Sequence, residues 1–214
     1  MAIENSLDSV LNTKTKVKII RLFISRTNEF HTSGREIAKS IKVSPPAAHA
    51  ALKKLYNQGI LKLEIIGKQH IYSLNDKNRL VRDILKPSFK KEISLKDDIK
   101  RFIAKKIKKE KLARDIISII LYGSLQCHQT TDTSDVDIAV ITKDKIKAKK
   151  VEDAFIENIA VQFHEYFGFH LDVYVKSKEE FLSRIKRRLS PVSSLAKSYS
   201  VIYGKDLIEL KTIQ

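Results

Sequence analysis

The chain has 214 residues, of which 43% are hydrophobic and 31% are charged, a balance typical of folded proteins that form one generous or two small domains. No apolar run approaches the roughly 20 residues that a helix needs to cross a bilayer, which argues against a membrane protein. The first residues show no export signal, so we expect a cytoplasmic location. The single cysteine, Cys127, excludes an internal disulfide and leaves no zinc site to be identified.

The net charge of +16 is unevenly distributed along the chain. Residues 1–91 hold 18 Lys and Arg and 7 Asp and Glu, a net charge of +11, whereas residues 92–214 hold 23 and 18, a net charge of +5. A positive surplus favours polyanionic partners such as nucleic acid. The alternative is a biased composition that carries no functional meaning.

The first 60 residues show three helical patterns. Apolar residues between 17 and 24 form one helical face. Ser33-Gly34 opens a short second helix, and Ser44 followed by Pro45 is an N-cap with proline at the first helical position. The third helix is predicted to run to about Gln58, with Gly59 ending it.

A β-hairpin is predicted directly after these helices. Residues 61–66 and 69–74 are rich in strand-forming side chains, and Gly67-Lys68 lies at the turn between them. The tip of this hairpin is therefore basic.

Three helices followed by a basic hairpin, over residues 11–75, resemble the winged helix-turn-helix regulators of the MarR and ArsR kind. The resemblance implies a homodimer that binds double-stranded DNA, with the third helix in the major groove and the hairpin as the wing. The residues placed at the DNA by this resemblance are Ser44, Pro46, Ala47, His49, Ala50, Lys53 and Lys54 on the helix, and Lys68, Gln69 and His70 on the wing. A protein-interaction or dimerisation module is the alternative.

A domain boundary is predicted where the first pattern ends. Pro87 follows an apolar segment that finishes near Leu85, and Ser94 begins a new helical pattern. We therefore expect a short linker at 86–93, a winged helix domain at 1–90 and a second domain at 91–214.

The second half alternates helical patterns with buried strands that carry acids. After a long basic helix, residues 115–122 form an apolar strand that ends in Gly123-Ser124. Asp135 and Asp137 lie two residues apart on the next strand and so point the same way. Asp172 lies in the middle of a third strand, 169–175.

Acids within apolar strands are costly unless they are paired or coordinate a cation. Carboxylates that leave part of a cation's shell to water and phosphate are typical of magnesium in phosphoryl-transfer sites. Asp135, Asp137 and Asp172 are therefore predicted to bind Mg²⁺.

The ordered set Tyr122-Gly123-Ser124, Asp135-Val136-Asp137 and Asp172 resembles the polymerase-beta-like nucleotidyltransferase superfamily in its minimal form. The resemblance implies an α+β protein whose second domain has a mixed sheet. It also implies that all three acids are catalytic and hold the metal ions, and that Gly123 and Ser124 bind the nucleotide.

The implied reaction transfers a nucleoside monophosphate from an NTP, ATP among the candidates, to an unidentified protein or nucleic-acid acceptor. One form of it modifies a protein partner, as the antitoxin members of the minimal family do. Many members continue the Gly-Ser with Ala-Arg-Gly, whereas this chain has Leu125-Gln126-Cys127-His128. A transcriptional regulator whose second domain senses nucleotide or is inactive therefore remains the alternative.

Other polar residues leave alternatives open. Cys127 and His128 are expected to line the pocket rather than form a nucleophilic dyad. His164 and His170 are expected to be packing or surface residues, with substrate contact as the alternative. The basic stretch 186–188 either binds phosphate or is a solvated helix face.

Overall fold

The structure is a computed structural model that describes residues 6–26, 30–123, 125, 135–191, 195 and 198–212. The chain divides into two compact units, Met1–Leu95 and Lys96–Gln214. Among the described residues no helix combines the length and the apolar character that crossing a membrane requires.

The first unit contains the three predicted helices and one before them. The helices are α1 (Ser6–Leu11), α2 (Lys14–Ser25), α3 (Gly34–Ser40) and α4 (Pro45–Asn57). Ser33 caps α3 in a capping box with Glu36, as its position before Gly34 predicted. Ser44 is the N-cap of α4 and Pro45 its first residue, although the Ser44 side chain makes no capping hydrogen bond.

The predicted hairpin is confirmed residue for residue. Strands β2 (Leu61–Ile66) and β3 (Gln69–Leu74) pair antiparallel, and the short β1 (Thr32–Ser33) pairs with β3, so the sheet order is β1-β3-β2. Gly67 has a φ of +60° at the turn, a conformation that glycine adopts at little cost. Helices α2 to α4 with this three-stranded wing form a winged helix.

The residues predicted as a short linker, 86–93, form α5 (Lys86–Ile93), which continues a π-helical turn at Val81–Leu85. Pro87 lies in the first turn of α5, directly after that π-helical turn. Phe89 is buried in the core of the first unit. Arg21 donates to both carboxylate oxygens of Glu92 at 2.8 and 3.0 Å and lies over the Phe89 ring, so α5 packs with the first unit.

The second unit consists of a four-stranded sheet and the helices around it. Its strands are β4 (Ile116–Tyr122), β5 (Val136–Thr142), β6 (Leu171–Ser177) and β7 (Ser200–Gly204). Its helices are α6 (Leu95–Lys109), α7 (Lys145–Ala154), α8 (Ala160–Phe167), which follows α7 through a π-helical turn at Phe155–Ile159, α9 (Lys178–Lys186) and α10 (Leu207–Thr212).

The strand order is β6-β5-β4-β7, with β5 and β6 parallel and the other pairs antiparallel. This confirms the predicted α+β class and the mixed sheet. Side chains alternate between the two faces, and one face places Ile120 and Ala139 against Phe181 of α9 and Leu207 of α10. The same face carries the predicted acids at the end of the sheet where β4 finishes and β5 begins.

Candidate functional site

The predicted acids Asp135, Asp137 and Asp172 lie at one end of the four-stranded sheet. We call this end, together with Gly123, the acidic edge. Asp137 is opposite Tyr122 on β4 and opposite Asp172 on β6. Neighbouring strands lie about 4.8 Å apart, and residues in register point to the same face. The pairing therefore aligns Tyr122, Asp137 and Asp172 in one row across three strands.

The start of β5 is held firmly beneath these acids. The Val136 amide donates to the His170 carbonyl oxygen at 2.9 Å, and the Val136 side chain is buried. Asp137 is half-buried, whereas Asp135 and Asp172 are exposed. The Asp135 and Asp172 carboxylates are therefore accessible to a ligand, on a backbone that is anchored.

Gly123 follows β4 directly and lies against Asp137. Its φ is +78°, and a Cβ built on it would lie 1.9 Å from Oδ2 of Asp137. No side chain can occupy that space without displacing the carboxylate, so the glycine is required by this site. Ser124, the second predicted nucleotide-binding residue, lies outside the described residues, as do Cys127 and His128.

Two tyrosines border the acids, and the sequence reasoning gave neither a role. Burial raises the pKa of Tyr122 well above its usual range, and the negative charges of Asp137 and Asp172 raise it further. Burial also raises the pKa of Tyr174, which lies two residues after Asp172 on the same face. Both side chains therefore remain neutral phenols, and the alternation along β6 was the signal that could have identified Tyr174.

Two cations lie beside Tyr174. The Lys176 Nζ is 5.6 Å and the Arg184 Cζ 5.9 Å from the centre of the Tyr174 ring. Arg184 lies in the last turn of α9, whereas the basic stretch 186–188 that the sequence raised as a phosphate contact is exposed. Arg184 therefore contacts strand β6 through the Tyr174 ring.

The donor set of the acidic edge suits magnesium in one particular way. Asp137 and Asp172 offer carboxylate oxygens, which Mg²⁺ prefers. Within the described ranges, no three His, Cys, Asp or Glu side chains are gathered closely enough to hold an ion. Because Mg²⁺ commonly uses one or two carboxylates together with water and substrate phosphates, the site fits an ion shared with a triphosphate.

Two histidines, His164 of α8 and His170 directly before β6, stack on each other. The His164 and His170 rings are 4.5 Å apart and nearly parallel, and the Nδ1 of His164 is 3.3 Å from the Phe169 carbonyl oxygen. Both side chains are exposed, as expected for surface histidines.

The predicted DNA-facing residues all lie on the outside of the winged helix. The inner face of α4 is buried through Ala48, Ala51, Leu52 and Leu55. The exposed residues of the predicted contact surface are Ser44, Pro46, Ala47, His49, Ala50, Lys53 and Lys54 on α4, and Lys68, Gln69 and His70 on the wing. Their exposure leaves the surface accessible, and contact with DNA stays a prediction.

Comparison with known proteins supports the assignment of the second unit. Residues 101–206 match the family described as "Polymerase beta, Nucleotidyltransferase". A protein of Methanocaldococcus jannaschii named "Putative protein adenylyltransferase MJ1305" is 28% identical over 99 residues, which cover 46% of this chain and 65% of that protein. The matched stretch therefore spans less than two thirds of the relative's length.

Two proteins of known structure are among those similar to part of this chain. HlyU from Vibrio cholerae is 14% identical over 40% of this chain and 86% of its own, with a TM-score of 0.34. The homodimeric winged helix-turn-helix domain of Mb0332 from Mycobacterium bovis is 15% identical over 44% of this chain and 77% of its own, with a TM-score of 0.33. The winged helix of the first unit is assigned from its own element order and sheet order.

Proposed function

We propose that the protein binds double-stranded DNA and transfers a nucleoside monophosphate from an NTP to an acceptor, because residues 101–206 match the polymerase beta nucleotidyltransferase family and the first unit is a winged helix. The observation that carries the catalytic half of this proposal is the register of Asp137 with Asp172, with Gly123 closed against the Asp137 carboxylate. This geometry supports an enzyme, because the acids lie side by side on a fixed backbone.

The proposed reaction is an in-line displacement at the α-phosphorus. The acceptor hydroxyl oxygen forms a bond to phosphorus, the bond to the bridging oxygen of the β-phosphate breaks, and pyrophosphate leaves. Asp172, exposed at the row's end, accepts the hydroxyl proton. Of the predicted ligands Asp135, Asp137 and Asp172, one or two at a time would hold Mg²⁺, which when bound would neutralise charge on the triphosphate oxygens.

The acceptor that we propose is a side-chain hydroxyl of a protein, with ATP as the donor. The name of the M. jannaschii relative, a protein adenylyltransferase, favours both choices. An exposed acidic edge also suits a macromolecular acceptor, because a folded partner can approach Asp172 without entering a closed pocket. An antitoxin-like role, in which the modified protein is a partner toxin, is one form of this proposal.

Calorimetric titration with ATP, GTP, CTP and UTP in the presence of Mg²⁺ tests the site. Wild type is expected to bind at least one nucleotide, and Asp135→Ala/Asp137→Ala is expected to lose that binding because the ion's carboxylates are gone. Asp153→Ala removes an exposed acid of α7 and is the matched control. Absence of Mg²⁺-dependent binding in wild type would contradict the proposal.

A second candidate function is a transcriptional regulator in which the second unit senses nucleotide without transferring it. It is favoured by Leu125-Gln126-Cys127-His128, which replaces the Ala-Arg-Gly of many family members. If the protein has this function, we expect ATP to bind and to change the protein's affinity for DNA. We also expect no label to move from [α-³²P]ATP to any protein of a cell lysate. Labelling of a lysate protein by wild type, but not by Asp137→Asn, would remove it.

The DNA-binding half is tested by fluorescence anisotropy over a range of salt concentrations. Lys53→Ala/Lys68→Ala is expected to weaken duplex binding about tenfold or more and to flatten the log–log salt dependence, because each lost phosphate contact lowers its slope by about 0.9. Lys90→Ala, an exposed lysine of α5, is the control. Unchanged binding in the double variant would favour a protein-interaction module instead.

The homodimer expected of a winged helix regulator is tested separately by sedimentation. A two-fold dimer presents two recognition helices to a pseudo-palindromic site. A monomer at micromolar concentration would contradict the dimer and leave the nucleotidyltransferase proposal unaffected.

A further inference from the structure

The end of the second unit's sheet opposite the acids contains a cation-lined cleft of about 740 Å³. We call it the basic edge and define it by Arg114, Lys143, Lys178 and Lys205. The remaining lining residues are apolar or aromatic, among them Ile117, Tyr203 and Leu210, and none is acidic.

Each strand of the sheet contributes one of these cations. Lys178 follows β6 directly, Lys143 follows β5, Arg114 precedes β4 by two residues, and Lys205 follows β7. In the strand order β6-β5-β4-β7 the cations therefore succeed one another along the edge. With strands about 4.8 Å apart, their backbone attachment points span about 14 Å.

The acids next to Arg114, Lys143 and Lys205 in sequence are directed to other partners. Asp115, after Arg114, accepts from Lys150 at 2.7 Å and lies 3.3 Å from Lys147. Because that carboxylate is already doubly paired, it leaves the Arg114 charge uncompensated by its nearest acid.

The same holds for the acids beside Lys143 and Lys205. Asp144 caps α7 by accepting from the Lys147 amide at 2.8 Å. Asp206 accepts from the Tyr199 hydroxyl at 2.8 Å and from the Ile208 amide at 3.0 Å. Across the described residues, Arg114, Lys143 and Lys205 take part in no ion pair.

The backbone that carries the cations is fixed in place. The Lys205 amide donates to the Ile117 carbonyl oxygen at 3.1 Å, and the Ser118 hydroxyl donates to the Lys205 carbonyl oxygen at 2.6 Å. The Lys143 amide donates to the Asp115 carbonyl oxygen at 3.2 Å. The row is therefore preorganised at the backbone, and only the side chains remain to be ordered on binding.

We propose that the basic edge binds the sugar-phosphate backbone of a nucleic acid, as a contact separate from both the winged helix and the acidic edge. A row of four cations whose backbone attachment points span about 14 Å suits an extended polyanion, because it can contact several phosphates at once. Phosphates of one strand follow each other every 3.4 Å along a duplex axis, so a row of this length accompanies about four of them. Tyr203 adds an aromatic surface of the kind that single-stranded bases stack on.

The test uses the full chain and two labelled probes, a 30-base-pair DNA duplex and a 30-nucleotide single-stranded RNA, which distinguish the two sources of the same phosphate chemistry. Lys143→Glu/Lys205→Glu reverses two charges of the row. Lys105→Glu/Lys109→Glu reverses two exposed lysines of α6 and has the same net charge. Each pair is also placed in a Lys53→Ala/Lys54→Ala/Lys68→Ala background, which removes the proposed winged helix contacts.

The basic-edge variant is expected to bind at least one probe about tenfold more weakly than the α6 variant, in both backgrounds, with a salt slope shallower by about 2. Binding that survives the triple background and disappears with the basic-edge pair separates this contact from the winged helix. Equal losses in both pairs would assign the effect to net charge and overturn the proposal, as would no loss in either.

Two further measurements distinguish loss of the cations from the introduction of acids, and nucleic-acid binding from general polyanion binding. Lys143→Gln/Lys205→Gln removes the charges without introducing acids, and is expected to show the same direction of change with a smaller loss. Competition by polyglutamate as effective as competition by unlabelled nucleic acid would also overturn the proposal, because it would show a general polyanion surface.

Discussion

The two ends of the four-stranded sheet collect opposite charges in different ways. Asp137 and Asp172 are strand residues, so their separation is set by the β5–β6 register. The cations at the other end lie just outside the strands, at Lys143, Lys178 and Lys205, and their side chains are long and flexible. The acidic edge therefore has a fixed geometry, which suits the proposed transfer reaction, whereas the basic edge has charge without strict geometry, which suits the proposed contact with a polymer backbone.

The largest effect is expected at the acidic edge. Asp137→Asn keeps the shape and removes the charge, so transfer of label from [α-³²P]ATP to proteins of a cell lysate should fall about 1000-fold. Asp153→Asn is the matched control, since it neutralises an exposed acid on α7. A fall of less than about tenfold would mean that the register of Asp137 with Asp172 does not determine catalysis.

Gly123→Ala tests how closely the acidic edge is packed. The new Cβ must displace Oδ2 of Asp137, and the residue also keeps a φ of +78°. We expect a loss of about 2–4 kcal/mol in the free energy of unfolding by urea. Gly168→Ala has a φ of +73° with nothing within 4 Å of the new Cβ, so it should lose only the backbone part, about 1–2 kcal/mol. Equal losses would contradict the close approach.

The two edges should respond independently, which is the sharpest test of the comparison. Lys205→Gln is expected to lower the salt slope of nucleic-acid binding by about 1 and to leave the dissociation constant for Mg²⁺–ATP unchanged. Asp137→Asn should show the reverse pattern. A change in both measurements by either variant would show that the two ends are coupled.

The smallest effect concerns Tyr122 at alkaline pH. The Tyr122 side chain has an ordinary tyrosine pKa of about 10 in the unfolded chain, and burial raises its pKa in the folded protein. The stabilisation that the neutral Tyr122 side chain contributes to the folded state is therefore fully present below about pH 10. It is lost as the pH rises toward the pKa of Tyr122 in the folded protein. The Tyr122→Phe variant lacks this pH-dependent contribution. Between pH 8 and 11 its free energy of unfolding should therefore decline by about 1 kcal/mol less than that of wild type. Tyr166→Phe, an exposed residue, is the control, and an identical decline in wild type and Tyr122→Phe would contradict the prediction.

Local patterns predicted the winged helix well. The alternation on either side of Gly67 gave both strands of the wing, and Ser33 before Gly34 gave the start of α3. Pro87 indicated a break between two domains, whereas residues 86–93 form a helix that follows a π-helical turn. Phe89 of this helix is buried by the first unit's core, which no local pattern reveals.

At the site, spacing predicted part of the geometry. The two-residue spacing of Asp135 and Asp137 predicted a shared direction, and the pairing of Asp137 with Asp172 then depended on how β6 returns after 35 residues. The approach of Gly123 to Asp137 and the burial of Tyr122 are products of tertiary packing, so the sequence alone could not give them.

Strand β6 has a neighbour on one side only within the described sheet, since it ends the order β6-β5-β4-β7. Edge strands open locally at a lower free energy than central ones. Because Asp172 belongs to β6, such an opening would dismantle the row of acids while the rest of the domain stays folded. Occupancy of the acidic edge would then slow amide hydrogen exchange in β6, and the lifetime of the catalytic arrangement would be that of a single strand pairing.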